Sequence, residues 1–490
     1  MTVQTKLPQG LKAMLVALAG VSSVLAISAV LPLQPAFALE DDDEDKDKTV
    51  EEMTKDFAAI DGLFPLWRDP EDGAVYLEVA ADKLGQEFIA FSYTENGVVE
   101  AGHFRGAYQD QRILSFVKRY GRLDVVEKNT AFYFSKASAL SRAADANISD
   151  ALLASVEIVA ETPAKGEGES ATPARYLVKA DELFLNESLH QVKASPNPEA
   201  PPGGFSLGEL SSDKTHYAVV RNYPENTDFV VDYVYDQSRP TNYGASEVTD
   251  ARAVTIRMQH SLLAMPEPGF VPRFDDYRIG YFTDQVTDLT SPDATPYVDM
   301  INRWRLVKKD PEAAVSDPVT PITWWIENTT PVEYREIIRE AALAWNEAFE
   351  SAGFSNAMEV KIQPDDAEWD AGDIRYNVLR WTSSPNPPFG GYGPSFTNPR
   401  TGEIIGADIM LEYVFVTNRM LYTKLFDSGA MLQGAGYQMP EALQAELGLC
   451  DAGARLHSEL AFAQIAAVQA GADEAEISQI VNDGLHYLIL

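Results

Sequence analysis

From about Phe57 to Ala264 the hydrophobic positions recur with a period of two. Val75, Leu77 and Val79 alternate with Tyr76, Glu78 and Ala80, and Phe88 to Tyr93 repeats the pattern after a turn at Gly85. Such alternation over four to eight residues is the mark of half-buried strands. Arg112–Tyr120, Leu123–Val126 and Thr130–Phe134 continue it, and Tyr217–Arg221, Phe229–Tyr235 and Val254–Met258 form a second group. Between the groups, residues 162–176 and 195–208 are rich in Pro, Gly, Ala and Glu and read as loops. One short helix is expected at Ser149–Val156, with Ser149 as its N-cap. The expectation is a large antiparallel domain over residues 57–265.

After Pro266-Glu267-Pro268-Gly269 a Pro- and aromatic-rich connection is expected over residues 266–317, and then the period changes. Ile322–Ile326 reads as a buried strand. Thr330-Pro331-Val332-Glu333 reads as a capping box with Pro at the first helical position. Ile337, Ile338, Ala341, Trp345, Ala348 and Phe349 follow at helical spacing, and Gly353 supplies the stop. Met358–Ile362, Ile374–Trp381 and Gly402–Val416 read as strands, with a turn-rich loop at Pro394–Gly402. Helices are expected near Pro440–Gly448, Asp451–Ala470 and from Asp473 to the end. Strand, helix and further strands followed by helices make an α/β layer over residues 318–490, and the fold class is multidomain α+β.

Charge and the N-terminus refine this. The 490 residues carry 39 Lys+Arg against 74 Asp+Glu, a net charge of −35, which argues against nucleic acid and anionic lipid surfaces as partners. Lys6 and Lys12 precede an apolar stretch from Ala13 to Leu31, then Pro32, Pro35 and the small-x-small site Ala36-Phe37-Ala38. Residues 1–38 therefore read as a signal peptide, and cleavage rather than retention as an anchor is favoured by Ser22, Ser23, Ser28, the prolines and the Ala-x-Ala site. The mature chain is expected to be periplasmic or secreted, without stable membrane insertion. The acidic run Glu40–Asp47 opens a segment, residues 39–56, expected to be a disordered tether; it lacks the spacing and turn glycine of a loop that wraps calcium.

A single cysteine, Cys450, excludes a disulfide scaffold and paired-cysteine metal sites. No phosphate-binding loop or H-E-x-x-H occurs. His103, His190, His216 and His260 are scattered through the β region. Neither His457 nor His486 has the Glu and second His that a helical zinc site requires.

Several short motifs nevertheless occur in order: Val254-Thr255-Ile256-Arg257, His260-Ser261, Pro266-x-Pro268-Gly269, Lys308–Val319, Trp345-Asn346-x-Ala348-Phe349, Ala352-Gly353-Phe354, Asp373–Trp381 and Asn398–Ile404. Together with Gly62-Leu63-Phe64-Pro65-Leu66, they make the chain similar to exported bacterial zinc-dependent metalloproteases of the metzincin type that carry a large β-rich N-terminal domain. The resemblance implies a metzincin-like protease subdomain in residues 318–490. It also implies protein or peptide substrates and a Zn2+ held by three His of an H-E-x-x-H-x-x-G-x-x-H helix, whose Glu acts as general base. It further implies an open edge strand ahead of that helix, onto which a substrate backbone adds as an extra strand. Gly406, Ala407, Asp408 and Ile409 are the candidates for this strand; an ordinary interior strand is the equal alternative. The last helix carries an apolar stripe (Ile477, Ile480, Val481, Leu485, Leu488) and no stop signal, so the family motif is expected just beyond Leu490, with His486 turned away from it. On this reading the subdomain is truncated before its zinc motif, no tightly held zinc is expected, the chain is inactive by itself, and its final helix lacks packing partners. The alternative class is an exported non-catalytic protein whose β domain binds a partner or a surface polymer.

Overall fold

The computed structural model describes residues 48–144, 146–166, 172–195, 203–276, 278–385, 387, 390–414, 463, 466–467, 472 and 474–489. The expected signal peptide, the acidic run and the helices near Pro440–Gly448 and Asp451–Ala470 lie outside them or nearly so. All described residues belong to one compact unit.

Its first element is a short helix, α1 (Val50–Met53), followed by β1 (Ala58–Ile60), β2 (Leu66–Arg68), β3 (Val75–Ala80), β4 (Glu87–Asn96), β5 (Tyr108–Arg119), β6 (Arg122–Lys128) and β7 (Phe132–Tyr133). Then come β8 (Ala151–Thr162), β9 (Arg175–Lys179), α2 (Asp181–Phe184), β10 (Glu209–Leu210), β11 (His216–Asn222), β12 (Asn226–Asp236) and β13 (Ala253–Ala264). Twelve of these strands form one antiparallel sheet in the order β1-β2-β3-β9-β8-β6-β5-β4-β13-β12, with β10 and β11 both on β12. The expected β-rich domain is present. Its alternation has a clear cause: even-numbered Phe88, Leu114, Met258 and Leu262, joined by Tyr233 of β12, fill one core. Odd-numbered Ile89, Phe91, Ile113 and Leu263 point to the opposite face, against Ile374 and Phe396.

Two expectations fail here. Ser149–Val156 is not a helix. Residues 151–162 are β8, paired with β6 and β9, and Val156, Ile158, Ala160 and Thr162 are buried at every second position. The tether also ends earlier than residue 56. Thr49 and Glu52 make a reciprocal capping box on α1. Val50 is fully buried against Ala74, Tyr76, Ala160 and Leu177, and its N–H donates to Thr162 Oγ1 at 3.0 Å. Glu51 pairs with Arg175.

The connection from 266 to 317 has structure of its own. β14 (Thr283–Asp288) and β15 (Tyr297–Ile301) form a hairpin that continues through β14 to β7, and β16 (Arg303–Trp304) joins the next sheet.

That second sheet contains β17 (Ile322–Ile326), α3 (Val332–Ser351), β18 (Met358–Ile362), β19 (Asn377–Thr382), β20 (Gly391–Tyr392), β21 (Ser395–Asn398) and β22 (Glu403–Glu412). Strands β18, β17, β19, β22 and β16 run parallel, and β20 and β21 pair antiparallel to β22. The loop expected at Pro394–Gly402 thus holds a strand. Helix α3 starts after Pro331 with no side-chain cap, so the Thr330 hydroxyl does not close the expected box. The helix ends at Gly353, whose φ of +91° suits glycine. Ile338, Ala341 and Ala342 are its buried stripe, whereas Trp345 is 44% exposed.

The last helix, α4 (Glu474–Ile489), does find partners: Val481 and Leu485 are buried with the α3 stripe and with Trp324, Leu379, Trp381 and Leu411. One face of the second sheet is therefore covered by helices. The other face, at β19 and β22, lies against the large antiparallel sheet. Among the described residues no helix is long and apolar enough to cross a membrane.

Candidate functional site

Among the described residues, a cluster of buried charged and polar groups lies at the seam between the two sheets. From the antiparallel sheet, β4 and β13 present Tyr93 and Gln259, both buried. The Tyr93 hydroxyl donates to the Gly372 carbonyl at 2.7 Å, and Gln259 Nε2 donates to the same oxygen at 2.9 Å and to Ser261 Oγ at 3.0 Å. Glycine is required at 372, because a Cβ there would stand 2.1 Å from the Tyr93 hydroxyl. Beside it Asp370 pairs with Arg221 of β11.

From the parallel sheet come Arg380 on β19 and Asp408 on β22, only 5% and 8% exposed. Asp408 Oδ1 accepts the Val378 N–H at 3.1 Å, but its closest approach to Arg380 is 3.8 Å, beyond a hydrogen bond. Arg380 Nε and Nη1, Gln259 Oε1, Glu95 Oε2 and Arg221 Nη1 are buried atoms without a hydrogen-bond partner. Burial outweighs the pull of Arg380 and holds the Asp408 carboxyl up at about 7. Glu95 is raised too, by burial first and then by Asp370. On the same side Asp228 is raised to about 6 by burial. Perturbed titrating groups gathered at one place are a functional-site signal with a physical basis, although structural ion networks give it as well.

The four residues expected on a substrate edge fall here, but not on an edge. β22 is flanked by β19 along Asp408–Glu412 and by β21 and β20 on its other side, so Gly406, Ala407, Asp408 and Ile409 sit inside the sheet. Ala407 N–H donates to Asn377 Oδ1 at 3.0 Å, and Ile409 packs toward the helices. Gly406 lies against Ile374 and Phe396. The interior-strand alternative is the one observed. The strands beyond, β20 and β21, form one edge, β18 being the other, and part of the first is covered: Thr397 N–H donates to Gln111 Oε1 at 3.2 Å, and Tyr108 N–H donates to the Tyr392 hydroxyl at 3.2 Å.

The histidines scattered in sequence partly converge on the other face of the antiparallel sheet. The Tyr233 hydroxyl donates its one proton to the Phe184 carbonyl at 2.7 Å, so His260 Nε2, 2.9 Å away, must donate to it. His260 Nδ1 then accepts from Ser92 Oγ at 2.8 Å. Burial depresses His260 to about 3, so this serine–histidine pair holds a neutral ring and a poor base. His103, also lowered by burial, bonds Thr94 Oγ1 at 3.1 Å and the Val192 carbonyl at 2.9 Å. His190 stands 5.9 Å from the His260 ring and 3.5 Å from Asp110. Ser92, Asp110, Arg112, Leu189 and His260 line a cavity of about 20 Å3, room for one water.

These groups do not fit a zinc ion. Both nitrogens of His103 and of His260 are engaged by protein partners, and among the described residues no three or more His, Cys, Asp or Glu converge on a metal position. His216 is exposed beside Asp232, His486 is half-buried on α4, and His457 lies outside the described residues.

Residues 106–309, from just before β5 to just past β16, match a family described as "Domain of unknown function (DUF5117)". The match covers less than half of the chain and supplies no activity. Comparison with curated proteins and comparison with solved structures give no match.

Proposed function

We propose that the chain is the substrate-holding part of an exported zinc-dependent metalloendopeptidase, whose zinc ligands and catalytic Glu are not among these 490 residues. One observation carries this reading: the motifs that make the sequence similar to such proteases interlock in one sheet-and-helix body. Asp317 Oδ1, from the Lys308–Val319 motif, accepts Ser355 Oγ at 2.6 Å and Asn356 Nδ2 at 2.9 Å, just after the motif that ends α3. Asn346 of that helix clamps Met358 at the start of β18 through both its N–H (2.9 Å) and its carbonyl (3.1 Å). Asn377 joins β17 to β22, donating to the Thr323 carbonyl at 2.9 Å and accepting from Ala407. Arg400 of the Asn398–Ile404 motif reaches Glu87 of the antiparallel sheet at 2.7 Å. The short β20–β21 edge, with Gly393 and Ser395 exposed, is the part of the sheet suited to receive an extended peptide.

The test is to express the chain joined to the sequence that follows it in its gene, beside the 490 residues alone. One zinc per molecule and chelator-sensitive casein hydrolysis from the longer protein only are expected. A longer protein that folds yet holds no zinc and cleaves nothing would overturn the reading in favour of an exported binding protein. Export is checked by N-terminal sequencing, which should begin at Leu39; a product still starting at Met1 would make the first segment an anchor.

A further inference from the structure

We infer that the contact between the two sheets at Arg380 and Asp408 is a proton-controlled joint, closed in mildly acidic solution and loosened as the pH rises to neutrality. The geometry leads to this. A buried ion pair holds a structure together only when its partners bond well and their remaining polar atoms are satisfied. Here the carboxylate has one neutral donor, Val378 N–H, and an arginine at 3.8 Å whose Nε and Nη1 bond nothing. A charged Asp408 is therefore held without adequate compensation as long as the seam is shut.

The surroundings point the same way. Facing the carboxyl are Arg380 from β19 and Glu327 from the turn after β17. Across the seam stands Tyr93 from β4, which feels Arg380, Glu95, Asp370 and Asp408 together. Glu95, also on β4, is opposed by Asp370 and favoured by Arg257, Arg221 and Arg380, and burial raises it. For Asp408 the pull of Arg380 exceeds the push of Glu327, so it is the burial of a poorly bonded carboxylate that opposes its ionisation while the seam is shut.

Opening the joint exposes Asp408 to water, where a carboxyl titrates near its ordinary value of about 3.9. The closed form holds its proton to about 7. A group whose closed-state value is raised favours the closed form at low pH and loses that contribution as the pH rises through the interval between the two values. The opening constant should thus grow by roughly one to two orders of magnitude from pH 5 to pH 8 and level off above that.

Hydrogen exchange of the full chain at pH 5, 6, 7 and 8, corrected for intrinsic exchange rates, tests this. Segments 91–96, 257–261 and 370–380 should lose protection by that factor, while β8 and β9, distant from the seam, should not. In Asp408→Asn the same segments should show a markedly shallower pH dependence, the remainder coming from Glu95 and Asp228. If the wild-type seam shows no pH dependence, or β8 and β9 loosen by the same factor, the inference is wrong. Identical pH slopes in wild type and D408N would also overturn it. Should D408N fail to fold, the wild-type profile alone decides.

Discussion

Tyr93 and Gly372 are 279 residues apart in sequence, and a single phenol-to-carbonyl bond of 2.7 Å joins the antiparallel sheet to the parallel one through them. The carbonyl has a second donor in Gln259 Nε2, so it is not stranded when one is removed. Tyr93→Phe should therefore cost about 1 kcal/mol, the net worth of one buried hydrogen bond. Tyr93→Phe combined with Gln259→Leu should cost more than the two single changes added, because only the pair leaves the oxygen unbonded. Urea midpoints of the four proteins check both statements.

Gly106 and Met410 make a second joint across the same seam. Gly106 has φ of +80°, and a Cβ on it would lie 2.7 Å from the Met410 sulfur. Gly106→Ala should destabilise by roughly 1–3 kcal/mol. Part of that loss should disappear in a Met410→Ala background, where the crowding is gone and the backbone strain remains. A double-mutant cycle read by thermal or urea unfolding distinguishes the two contributions.

Acid should weaken the antiparallel sheet at its other face. His260 and His103 are held neutral by burial, with His260 depressed to about 3. Groups lowered in the folded state give their full contribution above the unfolded value, about 6.5, and lose it as the pH falls toward the folded value. The raised carboxyls Asp408 and Asp228 act in the opposite sense, so the histidine is read by difference: from pH 6.5 to 4, wild type should lose stability relative to His260→Gln, as measured by denaturant at pH 6.5, 5 and 4.

The start of the folded chain offers a direct check on the extent of the tether. Val50→Ala should destabilise by about 1–2 kcal/mol, since a fully buried side chain is truncated in a packed cluster. Slow amide exchange is expected at Thr54, whose N–H bonds the Val50 carbonyl at 2.9 Å. Fast exchange there would mean that the helix does not dock.

Much of this was legible in residue order. The run Phe229–Tyr235 announces β12, and Ile322–Ile326 with the following stripe announces the first strand and helix of the second sheet. β8 resembles a helix in sequence because Ala151–Val156 contains good helix formers, whereas its strand period shows only further on, at Val156, Ile158, Ala160 and Thr162. α1 was hidden by the charge run before it, though Thr49 and Glu52 have the spacing of a capping box. The polar seam could be suspected from Arg380 and Asp408, single charges inside apolar strands. That they face each other could not, because strand order, not sequence distance, brings β19 beside β22. The same holds for His190 and His260, which only the fold of the segment after α2 brings together.

The pairing of β4 with β13 joins residues 88–96 to residues 257–264. During synthesis the N-terminal end leads, and β4 must wait for some 160 intervening residues before its neighbour exists. Until then β3, β9, β8, β6 and β5 can assemble only half a sheet, with the apolar strand Phe88–Tyr93 unpaired along one side. A long closure of this kind slows folding and leaves a strand edge open to other chains. The maturing protein therefore passes through a stage in which a chaperone has a definite stretch to shield, and interrupted synthesis anywhere before residue 257 should yield aggregates rather than a smaller folded domain.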